Sequence, residues 1–225
     1  MIDCISVENM RQSDAYTIAA FVPGKVLMHR AAMGIFLAST WEGNTAILVG
    51  SGNNGGDGYA LACILKEKGF RCRIFTVSEP KTPDSLYYAQ MAENAGISIS
   101  PYECDCLKGF DILVDCLLGT GFRGEVRGKY RTVIGEINAS GAFVVCADIN
   151  SGMNGDSGEA SLAVQSDLTV TIGYVKTGLV APNAGKYMKR LVCADIGIVL
   201  LKEEGKITSE SAPHWLDLQI IDARI

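Results

Sequence analysis

The stretch TAILVGSGNNGGDG, residues 45–58, constrains the fold more than any other part of the chain. Thr45-Ala46-Ile47-Leu48-Val49 is a short apolar run with β-branched members, the pattern of a strand buried on both faces. It passes into Gly50-Ser51-Gly52-Asn53-Asn54-Gly55-Gly56-Asp57-Gly58, and the following residues, Tyr59 to Lys68, carry Ala60, Leu61, Ile64 and Leu65 and read as a helix. A glycine loop between a strand and a helix brings backbone N–H groups up to an anion at the helix N-terminus. Dihedrals open only to glycine permit that close approach. The expectation is a ligand-binding turn of an α/β sheet, with the helix starting at Tyr59.

The loop fits G-x-G-x-x-G through Gly50, Gly52 and Gly55, with Glu79 beyond the next strand where a ribose-binding acid would sit. The match is short and unspecific by itself. The unusual part is the crowding of Asn53, Asn54 and Asp57 into one turn. Asn and Asp in turns ordinarily cap the local backbone. The same oxygens also suit a hard cation or a polar ligand.

The rest of the chain supplies the context for that turn. Its 225 residues with 48% hydrophobic content are enough for one core, so residues 1–225 read as a single domain. A net charge of −5 without a lysine–arginine block argues against a nucleic-acid or anionic-membrane surface. No apolar segment is long enough to span a bilayer, and Met1-Ile2-Asp3-Cys4 lacks the basic and apolar regions of a secretory signal. Cys63, Cys72, Cys116, Cys146 and Cys193 lie within apolar runs and read as small buried hydrophobes in a reducing compartment, so a cytoplasmic location is expected. The C-x-C of Cys104 and Cys106 has no second pair to complete a zinc site.

Residues 1–40 read as two helices, one over 6–20 behind Ser6 as N-cap and one from Lys25 to Ser39, parted by Pro23-Gly24. His29 on the second is read as a surface side chain. After the first strand come Arg71 to Val77 as a strand, Ser85 to Asn94 as a helix and Ile97-Ser98-Ile99 as a short strand. Asp111 to Leu118 is another strand, interrupted by Asp115, and opens into Gly119-Thr120-Gly121-Phe122-Arg123-Gly124 before a helix at Lys129 to Asn138. Ala142 to Ile149 again ends in an acid, Asp148, followed by Ile149-Asn150-Ser151-Gly152. Alternating strands and helices imply right-handed crossovers and a Rossmann-like α/β/α sandwich around a mainly parallel sheet. Ligands bind such sheets beyond the C-terminal strand ends, where Asp115, Asp148 and both glycine turns gather. A solvated strand-end aspartate is the ordinary alternative for either acid alone. Leu168 to Gly173 and Leu191 to Ile196 read as adjacent antiparallel strands, and residues 200–225 as a peripheral tail, packed loosely or against a partner, or the start of a junction to a further domain.

Taken in order, these motifs resemble the NAD(P)HX epimerase family, also called the YjeF N-terminal type. The resemblance rests on Gly52-Asn53-Asn54-Gly55-Gly56-Asp57-Gly58, Val114-Asp115, Gly119-Thr120-Gly121 and Asp148-Ile149-Asn150-Ser151-Gly152. Downstream it adds Asp167-Leu168-Thr169-Val170-Thr171, Lys176-Thr177-Gly178 and Ala194-Asp195-Ile196-Gly197. It implies interconversion of the R and S epimers of hydrated NADH and NADPH, with a separate ATP- or ADP-dependent dehydratase repairing the S form, and a homodimer. It also implies one potassium ion held by Asn54, Asp115 and Ser151. Substrate contacts would fall on Asn53, Asn54, Gly55, Gly56 and Asp57, on Gly119, Thr120, Gly121, Phe122, Arg123, Gly124 and Glu125, and on Asp148. Epimerisation requires a general acid/base, for which Asp148 is the candidate, with Lys176 for charge stabilisation. Arg123 and the glycine backbones would hold pyrophosphate.

Two positions depart from the family pattern. His29 stands where an acid is usual, which removes a carboxylate from the helix near the site. Asn150 stands for the usual proline before Ser151, which is expected to loosen a rigid turn. Two rival readings use the same residues: a nicotinamide oxidoreductase, which leaves Asn53-Asn54 and Asp115 unexplained, and a non-catalytic binding module on the same fold.

Overall fold

The computed structural model describes residues 4–201 and 219–222. The chain opens with β1 (Cys4–Ile5), α1 (Val7–Ala20), α2 (Gly24–Ala38), β2 (Asn44–Val49), α3 (Asn53–Glu67), β3 (Arg71–Thr76), α4 (Pro83–Asn94) and β4 (Ser98–Pro101). It continues through β5 (Ile112–Cys116), α5 (Gly128–Ala139), β6 (Phe143–Ala147), β7 (Leu168–Ile172), β8 (Val175–Lys176), β9 (Leu191–Asp195) and β10 (Gln219–Asp222). Local chemistry sets several boundaries. The Ser6 side chain accepts from the Asn9 amide, 3.1 Å, and so caps α1. Thr82 and Ser85 form a capping box, with proline in the first turn, at the start of α4.

The main sheet runs β10-β9-β7-β6-β5-β2-β3-β4. Every pair is parallel except β9 with β10. Successive side chains of each strand go to opposite faces. Ile47 and Val49 join Val114, Val145 and Val170 under α2, α3 and α4, whereas Ala46, Leu48, Leu113 and Cys146 pack with Val133, Ile134 and Ile137 of α5. A third cluster, including Ile149, Met153, Leu179 and Cys193, joins the irregular segments after β6 and beside β8 to β9. Strand order reverses between β2 and β5, which leaves a crevice above their C-terminal ends.

The layered α/β architecture is as expected, with three differences. First, α3 begins at Asn53, so Asn53 to Gly58 are its first turns and not a loop. The glycines there serve packing. A Cβ on Gly55 would lie 2.1 Å from the Gly50 carbonyl oxygen, and one on Gly56 2.6 Å from the Met28 side chain of α2. Second, β7 and β9 are parallel, with Val170 opposite Val192. The intervening chain, through β8 and the 3₁₀ turns Thr177–Val180 and Ala184–Lys186, makes the crossover without an α-helix. Third, the antiparallel strand is β10, which adds to β9 at the edge of the sheet; the rest of the expected tail lies outside the described residues. Cys116, Cys146 and Cys193 are buried as expected, but Cys63 and Cys72 only partly so.

Candidate functional site

A cavity of about 580 Å³ sits at the crevice. Its walls are α1 and α2, the start of α3, the turn after β5, and the ends of β6 and β7 with β8. Asn53, Asn54 and Asp57 line it from α3, Gly119, Thr120, Gly121 and Phe122 from the turn after β5, and Asp148 and Lys176 from its floor. Gly55 and Gly56 are packed inside α3, and Arg123, Gly124 and Glu125 lie outside the lining. The Arg123 guanidinium donates to the Thr120 and Phe122 carbonyls and faces Asp156 at 3.7 Å. Glu79 belongs to a separate groove beside Tyr59 and Glu93.

Asp148 follows β6 with φ +65°, the left-handed region that Asp tolerates better than most residues. Its amide still bonds the Val170 carbonyl, 2.8 Å, and the next amide, Ile149, turns back onto Ala147 at 2.8 Å. This bend lifts the carboxylate off the strand end. Lys176, 1% exposed, donates to the Asp148 carboxylate, to Thr171 Oγ1 at 3.1 Å and to the Ile172 carbonyl at 2.7 Å. All three ammonium protons are therefore used, and the lysine fixes the orientation of Asp148.

Beside this pair, Asn54, Asp115 and Ser151 meet in one network although they come from α3, β5 and the turn after β6. The fully buried Asp115 carboxylate accepts from Leu117 N (3.1 Å), Ser151 N (2.8 Å), Ser151 Oγ (2.5 Å) and Cys146 Sγ (3.2 Å). Burial raises its pKa, against the pull of the Ser151, Leu117 and Cys146 hydrogen bonds. Asn54 Nδ2 donates to the Leu118 carbonyl at 3.1 Å, whose amide in turn donates to Ser151 Oγ at 2.8 Å. Asn54 Oδ1 is buried and accepts no hydrogen bond among the described residues. An orphaned amide oxygen in a network that also carries carboxylate, carbonyl and hydroxyl oxygens fits a hard cation.

The two family departures take on a definite shape. His29 is exposed on α2 and does not line the cavity. Asn150 does not loosen its turn. It is fully buried, and its amide nitrogen bonds the Val164 carbonyl (2.9 Å), Ser166 Oγ (3.0 Å) and the Tyr187 carbonyl (2.8 Å) while Oδ1 accepts from Thr169 Oγ1 (2.7 Å).

The sequence reading missed Asp14, Thr82, Asp84 and Tyr130, which also line the cavity. For Asp14 there was a signal: Met10, Asp14 and Ile18 recur at i, i+4 and i+8, so one acid stands in a stripe of apolar residues along α1. Burial and then the Asp148 charge raise the Asp14 pKa, with Lys176 opposing and Asp84 adding to it. The same two causes, with the Asp14 charge added and Lys176 again opposing, lift Asp57 well above the usual carboxylate range.

The chain is 37% identical over 199 residues to the NAD(P)H-hydrate epimerase of Limosilactobacillus fermentum, covering 85% of this chain and 95% of that one. It is 36% identical over 207 residues to the NAD(P)H-hydrate epimerase of Lentilactobacillus buchneri, with 88% and 96% covered. It is 39% identical over 179 residues to the bifunctional NAD(P)H-hydrate repair enzyme Nnr of Archaeoglobus fulgidus, 77% of this chain but only 37% of that enzyme's length. The crystal structure of yeast ynu0 has the same fold, with a TM-score of 0.77 at 17% identity over 98% of this chain and 100% of that one. The family model for the YjeF-related protein N-terminus matches residues 24–178, a span that takes in both glycine turns, both strand-end acids and Lys176, and the chain belongs to that family.

Proposed function

We infer that this chain is an NAD(P)H-hydrate epimerase, an isomerase that interconverts the R and S forms of hydrated NADH and NADPH. The observation that carries the reading is the Asp148–Lys176 pair at the floor of a cavity at the sheet's switch point. The extent of likeness to relatives named for this activity supports it. The two epimers differ at one hydroxyl-bearing carbon, so the catalyst must let the hydroxyl leave and return on the other face. A carboxylate fixed by a buried lysine is suited to take or give the proton at that carbon. Asn53, Asn54 and the Gly119–Phe122 turn would hold the remainder of the dinucleotide, while Arg123 would have to leave Asp156 to reach a phosphate.

We further propose that a potassium ion is held by Asn54, Asp115 and Ser151, on the strength of the unpartnered Asn54 Oδ1. When bound, the ion supplies a fixed positive charge beside the α3 N-terminus, which favours anionic substrate groups there. Asp115 would keep the turn after β6 closed and Ser151 in place. The reading extends to a cytoplasmic enzyme working beside an S-specific dehydratase, and to a homodimer, for which exposed Ile18, Phe21 and Leu37 on the N-terminal helices offer apolar surface.

The test is recovery of NADH from the (R)-hydrate in the presence of an S-specific dehydratase and its nucleotide. Acceleration by this protein, falling at least about 100-fold in Asp148→Asn, is expected for loss of a general acid/base. Potassium should raise the melting temperature of the wild type and not of Asn54→Ala. Binding of the hydrate without acceleration would replace the enzyme by a binding module, and hydride transfer without epimerisation would replace it by an oxidoreductase.

A further inference from the structure

We propose that Asp14 is a second acid–base group of this cavity, delivering a proton to the departing hydroxyl while Asp148 serves the incoming water. The role rests on the epimerase reading. Asp14 stands on the helical wall and Asp148 on the floor, so a ring bound between them presents a different side to each. Among the described residues Asp14 makes no hydrogen bond and no ion pair, whereas Asp148 is held by Lys176 and by the Ile172 amide at 3.3 Å. One carboxyl group is thus committed to a cation and the other is left to the cavity. Asn54, whose buried Oδ1 is unpartnered among the described residues, lines the same cavity and also marks it as a place for a ligand.

The placement of Asp14 is fixed from both sides along α1. Ser13 Oγ accepts from the Leu201 amide at 3.0 Å, and Thr17 Oγ1 from the Val199 amide at 2.9 Å, which pin the helix to the chain after β9. At the N-terminus, Asp156 accepts from the Val7 amide at 2.7 Å. With the helix held at these points, Asp14 cannot swing out to solvent by a shift of α1. The charged groups around it are Asp57 on α3, Asp84 on α4, Asp148 after β6, Lys176 on β8 and, on its own helix, Arg11, which is engaged by Glu8 at 2.6 Å. Burial first, then the Asp148 charge, with Asp84 adding and Lys176 opposing, raise the Asp14 pKa and so favour the proton-donating form more than in a free carboxyl group.

The step balances. The Asp14 proton passes to the substrate hydroxyl, the C–O bond breaks with its electron pair leaving on water, and the lone pair of the adjacent ring nitrogen forms the C=N⁺ bond. Water then adds to the same carbon from the other side, the C=N⁺ pair returns to nitrogen, and the water's proton goes to Asp148. One proton leaves Asp14 and one reaches Asp148. Exchange with solvent restores both, and the reverse epimerisation swaps their roles.

The experiment compares wild type, Asp14→Asn and Asp14→Glu in the coupled assay as pH profiles of kcat and KM. A neutral amide cannot donate this proton, so Asp14→Asn should lose kcat at least about 100-fold with KM within a few-fold. Wild-type kcat should fall as pH rises through the raised pKa of Asp14; the amide variant should lack that alkaline limb, and Asp14→Glu should keep it with part of the rate. Asp14→Asn with kcat within about threefold of wild type and the same alkaline limb would overturn the role while leaving the epimerase reading intact, as would a change in KM alone. A wild type without epimerase activity would overturn both. If Asp14→Asn does not fold, the Asp14→Glu profile decides: a lower kcat with a displaced alkaline limb supports the role, and an unchanged profile removes it.

Discussion

Replacing Asn150 by alanine tests whether this chain uses a hydrogen-bonded clamp where the family resemblance implies a proline. The side chain is fully buried and its amide nitrogen faces three acceptors, Val164 O, Ser166 Oγ and Tyr187 O, while its oxygen accepts from Thr169. An amide has two protons, so one of the three acceptors shares, and the side chain is worth about three full hydrogen bonds. At about 1 kcal/mol each, with more where a buried acceptor is stranded, Asn150→Ala should lose about 2–4 kcal/mol. For a domain of this size that corresponds to a fall in Tm of roughly 5–15 °C. Thermal and urea unfolding measure it, the latter as a lower midpoint at unchanged slope. Thr169→Val, which removes the donor to Asn150 Oδ1, should be partly redundant with Asn150→Ala in the double mutant. An Asn150→Ala protein within about 0.5 kcal/mol of wild type would refute the clamp, and additive losses would refute the coupling.

Two further predictions separate packing from ligand chemistry and burial from charge. Gly55→Ala should destabilise by about 3 kcal/mol or more, because its Cβ would meet the Gly50 backbone at 2.1 Å, whereas Gly52→Ala has open space within 4 Å and should keep its Tm while weakening hydrate binding. Equal melting of the two variants would count against this division of the glycines. For Asp57, whose folded pKa lies well above 3.8, ionisation opposes folding: stability is fully present below the ordinary carboxylate pKa and is lost as pH rises through the raised one. Asp57→Asn mimics the protonated form, so its gain in Tm over wild type should grow as pH rises above the ordinary carboxylate range, and a pH-independent difference would show that Asp57 is not so shifted.

The strands were legible because residues buried on both faces, such as Ile47, Leu48 and Val49, leave an unbroken apolar run. The start of α3 was not. Asn and Gly are weak helix formers, and Asn53 to Gly58 become helical through contacts distant in sequence, as when Gly56 admits the Met28 side chain. The parallel pairing of β7 and β9 was hidden for a related reason. Its crossover carries no amphipathic helix, only the two-residue β8 paired with β1 and two 3₁₀ turns, so nothing in the periodicity announces a crossover. Asp115 and Asp148 were found because an acid at the end of an apolar strand is conspicuous, whereas Ser151 entered only through the family resemblance. Asp14 was overlooked because a lone acid on an amphipathic helix is usual until a cavity forms beside it.

Four features that oppose folding collect in one place. Asp148 takes a left-handed backbone, Asn54 Oδ1 is buried without a donor, and Asp14 and Asp57 face the cavity without a hydrogen bond or ion pair among the described residues. Each such feature costs on the order of 1–3 kcal/mol where it is not compensated. Elsewhere the same chain satisfies most of its buried polar groups closely, as the networks of Asp115, Asn150 and Lys176 demonstrate, with Thr45 Oγ1 near the opposite end of β2 an exception. Frustration concentrated at the sheet's switch point is the pattern of a site whose occupant completes it. A cation would answer the amide oxygen, and a ring carbon that turns positive as its hydroxyl departs would answer the carboxylates. Neither alone relieves the whole set, so ion and substrate should bind with positive coupling: each should tighten the other by the same factor, which calorimetric titration of either in the presence and absence of the other would measure.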